Sequence, residues 1–194
     1  MSAGELRRDR SMLERAIMAG FGGQGLMFMG KLVAKMMMDE GMAVTYFPSY
    51  GAEVRGGTAN CHVIVSSGEI ASPIVEEADT IVVMNQPSYD RFKSRLAAGG
   101  VALVNSSLVQ AADPPAGRVI LEIPATQMAG DLGDVRAANM VMMGAYNVVR
   151  EFVPFEKLLA HMADAFGVRK KDAVELNGKA IELGREFARG RLVK

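Results

Sequence analysis

Apolar and polar positions along this chain alternate in two rhythms. Short apolar runs at residues 16–19, 43–47, 61–66, 80–84, 101–104 and 118–123 each read as a buried strand. The segments between and after them repeat at helical spacing. Residues 25–40 form the first such segment, apolar almost all round, with Lys31, Lys35 and Asp39 on one narrow face. A helix of that kind is buried on more than one side. Gly41 ends it. Residues 87–96 form a helix with Pro87 near its first position, closed by Gly99-Gly100. A short helix over 125–132 is interrupted at Gly133, and 139–152 is an apolar helix without charge before Arg150. Phe155, Leu158, Leu159, Met162 and Phe166 then make one stripe stopped by Gly167. Asp172 and Glu175 read as a capping box for a last helix, with Leu176, Ala180, Leu183 and Phe187 on its apolar face. Gly178 and Gly184 each weaken that helix by about 1 kcal/mol relative to alanine.

Strands alternating with helices predict an α/β fold. The expected form is a three-layer α/β/α sandwich with a mostly parallel, mixed sheet and a Rossmann-like first strand–turn–helix. Ser67-Gly68-Glu69, leading into Ile70 and Ala71, predicts an antiparallel hairpin. The 194 residues are read as a single domain, 1–194, with 1–14 as a frayed leader.

Composition narrows the function classes. With 22 basic and 22 acidic residues there is no basic nucleic-acid surface. One cysteine, Cys61, excludes a disulfide framework and a cluster held by four cysteines of this chain. A reducing, cytoplasmic setting follows. No apolar run reaches membrane-spanning length, so no membrane partner is expected. Fifteen methionines without tryptophan read as a methionine-rich core, with partner-facing methionines as the alternative.

The chemistry concentrates in two glycine-rich stretches. The first, I-M-A-G-F-G-G-Q-G at 17–25, runs from a strand into a helix, with Gly20, Gly22 and Gly25 spaced G-x-G-x-x-G. Glycine admits positive φ, and the helix amino end favours an anion. A dinucleotide site of this kind wants a carboxylate at the end of the second strand. Here that strand runs into Pro48, Ser49 and Tyr50, which discounts NAD. The second stretch is P-S-Y-G-A-E-V-R-G-G-T-A-N at 48–60, long for an α/β connection. In a parallel sheet both stretches emerge at one end. Gly22, Gly23, Gln24 and Gly25 then lie near Ser49, Tyr50, Gly51, Glu53, Arg55, Gly56 and Gly57. Arg55 offers a planar fork for phosphate or carboxylate, and Gln24 offers a donor and an acceptor. The bland alternative pairs Glu53 with Arg55 alone. His62 and His161 have no clustered partners, and Cys61 and His62, adjacent in a strand, face opposite ways. No catalytic residue and no metal ligand is assigned.

G-F-G-G-Q-G, then S-Y-G-A-E-V-R-G-G-T-A, then A-D-T-I-V-V-M-N resembles the gamma subunit of the 2-oxoacid:ferredoxin oxidoreductases. A-N-M-V-M-M-G-A at 138–145 and E-L-N-G-K-A at 175–180 fit as well, so the resemblance runs over about residues 16–187. It implies a multi-subunit enzyme that converts a 2-oxoacid and coenzyme A to acyl-CoA and carbon dioxide. The resemblance further implies thiamine diphosphate with Mg2+ and iron–sulfur clusters that pass electrons to ferredoxin. This chain lacks the thiamine diphosphate motif, so those groups belong to alpha, beta and, in some complexes, delta subunits. The gamma subunit is expected to be non-catalytic alone and to help shape the coenzyme A site. The style of the loops leans to a 2-oxoglutarate or branched-chain 2-oxoacid complex. The alternatives are a subunit of indolepyruvate oxidoreductase, a free-standing dinucleotide-binding oxidoreductase, and an interaction module with no ligand site.

Overall fold

The computed structural model describes residues 12–50, 58–111, 116–167 and 170–192. Its strands are β1 (Leu13–Phe21), β2 (Ala43–Tyr50), β3 (Thr58–Ser66), β4 (Ala78–Val83), β5 (Leu96–Asn105) and β6 (Val119–Ile123). The helices are α1 (Leu26–Asp39), α2 (Gln86–Phe92), α3 (Ala125–Asp131), α4 (Ala138–Arg150), α5 (Phe155–Phe166) and α6 (Lys171–Leu192).

One six-stranded sheet runs in the order β2-β3-β1-β4-β5-β6. β1, β4, β5 and β6 pair in parallel, while β3 is antiparallel to both its neighbours. The expected antiparallel element therefore exists, but it is β3 itself and not a hairpin at Ser67. Apolar alternation along 61–66 was a correct strand signal that carries no information about direction. Pro48 is tolerated in β2 because that strand is an edge and needs no ladder partner on its open side.

Successive residues of β1 serve opposite faces. Ala16 and Met18 pack under α1 and α4, whereas Ile17 and Ala19 pack with Tyr89 and Phe92 of α2. The three-layer arrangement follows. On the first face α4 is buried at every position from 138 to 147, and α6 crosses over it. α1 is covered on its second side by α5, through a Phe28–Phe166 ring contact at 4.9 Å and a Lys157–Glu40 ion pair at 2.6 Å. The all-round apolar character of α1 and α4 is thus satisfied within this chain. Methionines 18, 29, 36, 37, 84, 140, 142, 143 and 162 are buried in this core, and Met38 is exposed.

Three boundaries differ from expectation. β1 begins at Leu13, so Glu14 and Arg15 belong to the sheet and not to a leader or a turn. The helix expected over 87–96 is α-helical to Phe92 and continues as a 3-10 turn over Lys93–Arg95, while Gly99-Gly100 lies inside β5. Asn85 caps α2 by accepting from Ser88 N at 2.9 Å, and Arg118 Nε donates to Leu96 O across the strand start. The capping box also fails to form. α6 starts at Lys171, and Glu175 pairs one turn ahead with Lys179 at 2.7 Å.

The start of β1 is tied down by charge. Tyr146 Oη donates to Glu14 Oε1 at 2.8 Å, and Arg150 Nε lies 3.0 Å from Glu14 Oε2 and donates to Thr80 Oγ1 at 2.6 Å. Burial pushes the Glu14 carboxyl up from its ordinary value, and Arg150 opposes that shift. Burial, with Glu14 beside it, raises the Tyr146 phenol well above its usual range. Burial would also raise Asp79, but the bonds from Arg15 outweigh it and hold the carboxyl low. Among the described residues no helix is long and apolar enough to cross a membrane.

Candidate functional site

The glycine turn sits at the carboxyl end of β1, where the connections of neighbouring strands part company. β1 leads to α1 on one face, and its parallel neighbour β4 leads to α2 on the other. In open α/β sheets that reversal leaves a crevice outside the strand ends. The crevice here is a cavity of about 240 Å³ lined by Gly23, Gln24, Met84, Leu108, Thr126, Val135, Arg136 and Ala138.

The turn is held from inside. Phe21 N donates to Gln24 Oε1 at 2.7 Å, and Gln24 Nε2 donates to Met84 O at 3.1 Å. Gln24 therefore latches the β1 turn to the end of β4, and both ends of its amide are engaged within the chain. Gly23 and Gly25 have φ of 95° and 75°, conformations that side chains rarely adopt. Asn139 Nδ2 of α4 donates to Gly25 O at 3.1 Å and closes the other side. Asn105, at the end of β5, holds the start of α3 by reciprocal bonds with Thr126. Three strand ends and three helix starts are thereby locked around one opening.

Its rim is mixed. Leu108 and Val135 are 49% and 56% exposed. Arg136 projects with its side chain 85% exposed and pairs with Asp134 at 2.6 Å. The Arg136 hydrogen bond and charge hold the Asp134 carboxyl below its usual range. Arg136, Asn139, Thr126, Leu108 and Val135 were not singled out from sequence. Their one advance signal is Asn139, a polar residue opening an otherwise apolar helix.

Gly22, Gly23, Gln24 and Gly25 lie together in the turn. The second stretch returns to the same end: β3 pairs Thr58 with Phe21 and Ala59 with both Gly20 and Tyr50. Ser49 and Tyr50 close β2 there. Gly51, Glu53, Arg55, Gly56 and Gly57 lie outside the described residues. β3 stands between β1 and β2, so the end of β2 is about 10 Å from β1, two strand spacings, instead of beside it. A ribose-binding carboxylate on a neighbouring parallel strand has no counterpart in this order, which further disfavours the dinucleotide reading.

Cys61 and His62 do face opposite ways. Cys61 is buried under α1 with Sγ 3.7 Å from Leu26 O, and burial pushes its thiol up to about 12. His62 Nδ1 accepts from Val75 N at 3.0 Å on the other face. Burial, and then Arg95 and Arg91, lower its pKa from the ordinary value. His161 Nδ1 lies 3.5 Å from Asp39 Oδ2. Among the described residues no three His, Cys, Asp or Glu side chains converge on a metal position.

A β1 turn latched to β4 and a single reversed strand beside β1 define a mixed-sheet α/β fold. Residues 15–187 match the pyruvate ferredoxin/flavodoxin oxidoreductase family, and the chain belongs to it. It is similar to ketoisovalerate oxidoreductase subunit VorA of Methanothermobacter thermautotrophicus, 35% identical over 176 residues, covering 90% of this chain and 36% of that one. The chain thus spans about a third of that relative's length. It is also similar to 2-oxoglutarate synthase subunit KorC of Methanocaldococcus jannaschii, 32% identical over 189 residues, covering 94% of this chain and 98% of that one. Among solved structures it resembles the gamma subunit of a keto/oxoacid ferredoxin oxidoreductase from Geobacter sulfurreducens. That match has a TM-score of 0.77 and 30% identity, over 91% of this chain and 99% of the other.

Proposed function

We propose that this chain is the gamma subunit of a multi-subunit 2-oxoacid:ferredoxin oxidoreductase. The complex would form acyl-CoA and carbon dioxide from a 2-oxoacid and coenzyme A and reduce ferredoxin. Similarity to VorA and KorC, at 35% and 32%, supports a branched-chain 2-oxoacid or 2-oxoglutarate as substrate. Alpha and beta subunits would carry thiamine diphosphate, Mg2+ and the iron–sulfur clusters. One cysteine, buried and held as a thiol, is no basis for a cluster here.

The observation that carries the site is the latched crevice. Gly23 and Gln24 line it just ahead of the amino end of α1, beside Arg136, with Leu108 and Val135 as apolar rim. A glycine turn at a helix amino end, one exposed guanidinium and an apolar lip suit a phosphorylated, partly apolar ligand, which fits coenzyme A. The chain's part is to bind and orient that ligand against groups supplied by its partners. Arg55 is the sequence candidate that would join it from the second stretch.

The test is reconstitution. The chain alone is expected to give no 2-oxoacid-dependent reduction of an electron acceptor, and the assembled complex to restore it. Within the complex, Arg136→Gln is expected to raise KM for coenzyme A about ten-fold while leaving kcat and KM for the oxoacid unchanged. Turnover by the isolated chain, or an unaltered KM for coenzyme A, would count against the respective halves of the proposal.

A further inference from the structure

At the opposite end of the molecule, a second cavity of about 330 Å³ lies where α4 ends, α5 begins and the last turns of α6 pass over both. α4 joins the two ends: Asn139 touches the glycine turn, and Arg150, three turns on, touches the start of β1. This cavity therefore takes no part in the crevice described above.

Two of its walls are cationic. The Arg185 guanidinium sits over the Phe155 ring, its central carbon 4.1 Å from the ring centroid. Its Nε–H is buried without a hydrogen-bond partner among the described residues. Arg189, one helical turn on, is exposed and lines the same space. Neither arginine has an ion pair among the described residues. Glu151 also lines the cavity but reaches neither of them. Asn147 is already engaged with the Val153 backbone and is not available. A buried N–H left unpaired is costly, and an acceptor that satisfies it is correspondingly favoured. A guanidinium presents its donors as a planar fork, matched to a carboxylate or a phosphate.

We propose that this cavity is a second ligand site, in which Arg185 and Arg189 bind a small oxyanion, a carboxylate or a phosphate. The volume admits a small molecule. The two arginines against Glu151 leave the lining with a net positive charge.

The test titrates the full chain calorimetrically with inorganic phosphate and, separately, with succinate. Saturable binding of at least one is expected, and the tighter of the two identifies the natural chemistry. Arg189→Gln, at an exposed position that leaves folding intact, is expected to weaken it about ten-fold. Glu151→Gln is expected to strengthen it by removing the opposing charge. Arg136→Gln, in the other crevice, is expected to leave unchanged the component of binding that Arg189→Gln weakens, so that this site stands or falls apart from the coenzyme A proposal. Absence of saturable binding for both anions at millimolar concentration overturns the inference. So does binding that Arg189→Gln leaves intact.

Discussion

Gly144 of α4 and Gly184 of α6 meet where the two helices cross, and replacing either measures how closely the backbones approach. A Cβ on Gly184 would stand 1.8 Å from Val141 O, and one on Gly144 would stand 1.9 Å from Ile181 O. Both obstacles are backbone carbonyls that no rotamer change can move. To restore ordinary contact the helices must part by more than an ångström. The move would lift Ala180, Ile181 and Ala188 away from a helix that is buried throughout. Two effects compete in Gly184→Ala. Alanine gains about 1 kcal/mol of helix propensity. Overpacking against fixed backbone costs about 3–5 kcal/mol, at and above the upper end of the usual range. The net expectation is a loss of about 2–4 kcal/mol, or roughly 5–15 °C in Tm for a chain of this length. Gly178 supplies the control on the same helix. A Cβ there meets Met162 and Leu159 side-chain atoms at 3.8 and 3.9 Å, ordinary contact. Gly178→Ala is accordingly expected to gain about 0.5–1 kcal/mol. Urea unfolding of both variants, with the slope checked for constancy, reads the difference directly. If Gly184→Ala were as stable as the parent, or Gly178→Ala as damaging as Gly184→Ala, the close-crossing argument would fail.

Four further outcomes follow from the same contacts. Gln24→Ala removes the latch and exposes Phe21 N and Met84 O, at a cost of about 1–2 kcal/mol in denaturant unfolding; because a Cβ on Gly20 would stand 2.5 Å from Gln24 Oε1, Gly20→Ala should be less damaging in the Gln24→Ala background than alone. Glu14→Ala removes the ion pair from Arg150, which keeps its bonds to Thr80 and the Asp79 carbonyl, and leaves the buried Tyr146 hydroxyl without its acceptor; it should cost about 2–4 kcal/mol, whereas Tyr146→Phe, which removes one bond to the carboxylate, should cost about 1–3 kcal/mol. The folded pKa of His62 is depressed below 6.5, so its contribution is present above that value and is lost as pH falls towards the folded pKa, when a proton on Nδ1 displaces Val75 N–H; His62→Gln should flatten that part of the stability–pH curve, and an unchanged slope would refute the assignment. Cys61 should resist thiol reagents in the native state and react once urea unfolds the chain, since burial holds its pKa at about 12.

Local chemistry made much of the site readable. Glycines after an apolar run mark a strand–turn–helix because few other residues tolerate the φ values found at Gly23 and Gly25. Gln24 was singled out for its donor and acceptor, and the structure shows where both are engaged within the chain. Its donor and acceptor serve Met84 O and Phe21 N, partners 60 and 3 positions away, and no periodicity reveals that choice. Arg136 and Asn139 were missed for the same reason, since their importance rests on α4 starting beside Gly25. The cluster at Glu14 was hidden more deeply. A charged residue next to a short apolar run looks like a terminus unless Tyr146 and Arg150 are known to wait for it.

Hydrophobic period and glycine position were enough to set the class: strands and helices alternating, with a glycine turn between the first strand and the first helix. Those features depend on neighbours in sequence, where steric limits on φ and the burial of an apolar face act within a few residues. Strand order, the reversal of β3, and the α4–α6 crossing at Gly144 and Gly184 were decided only in three dimensions. An apolar strand pairs equally well in either direction until the chain on both sides of it is placed. A glycine inside a helix is a weakness until another backbone arrives to occupy the space of its missing side chain.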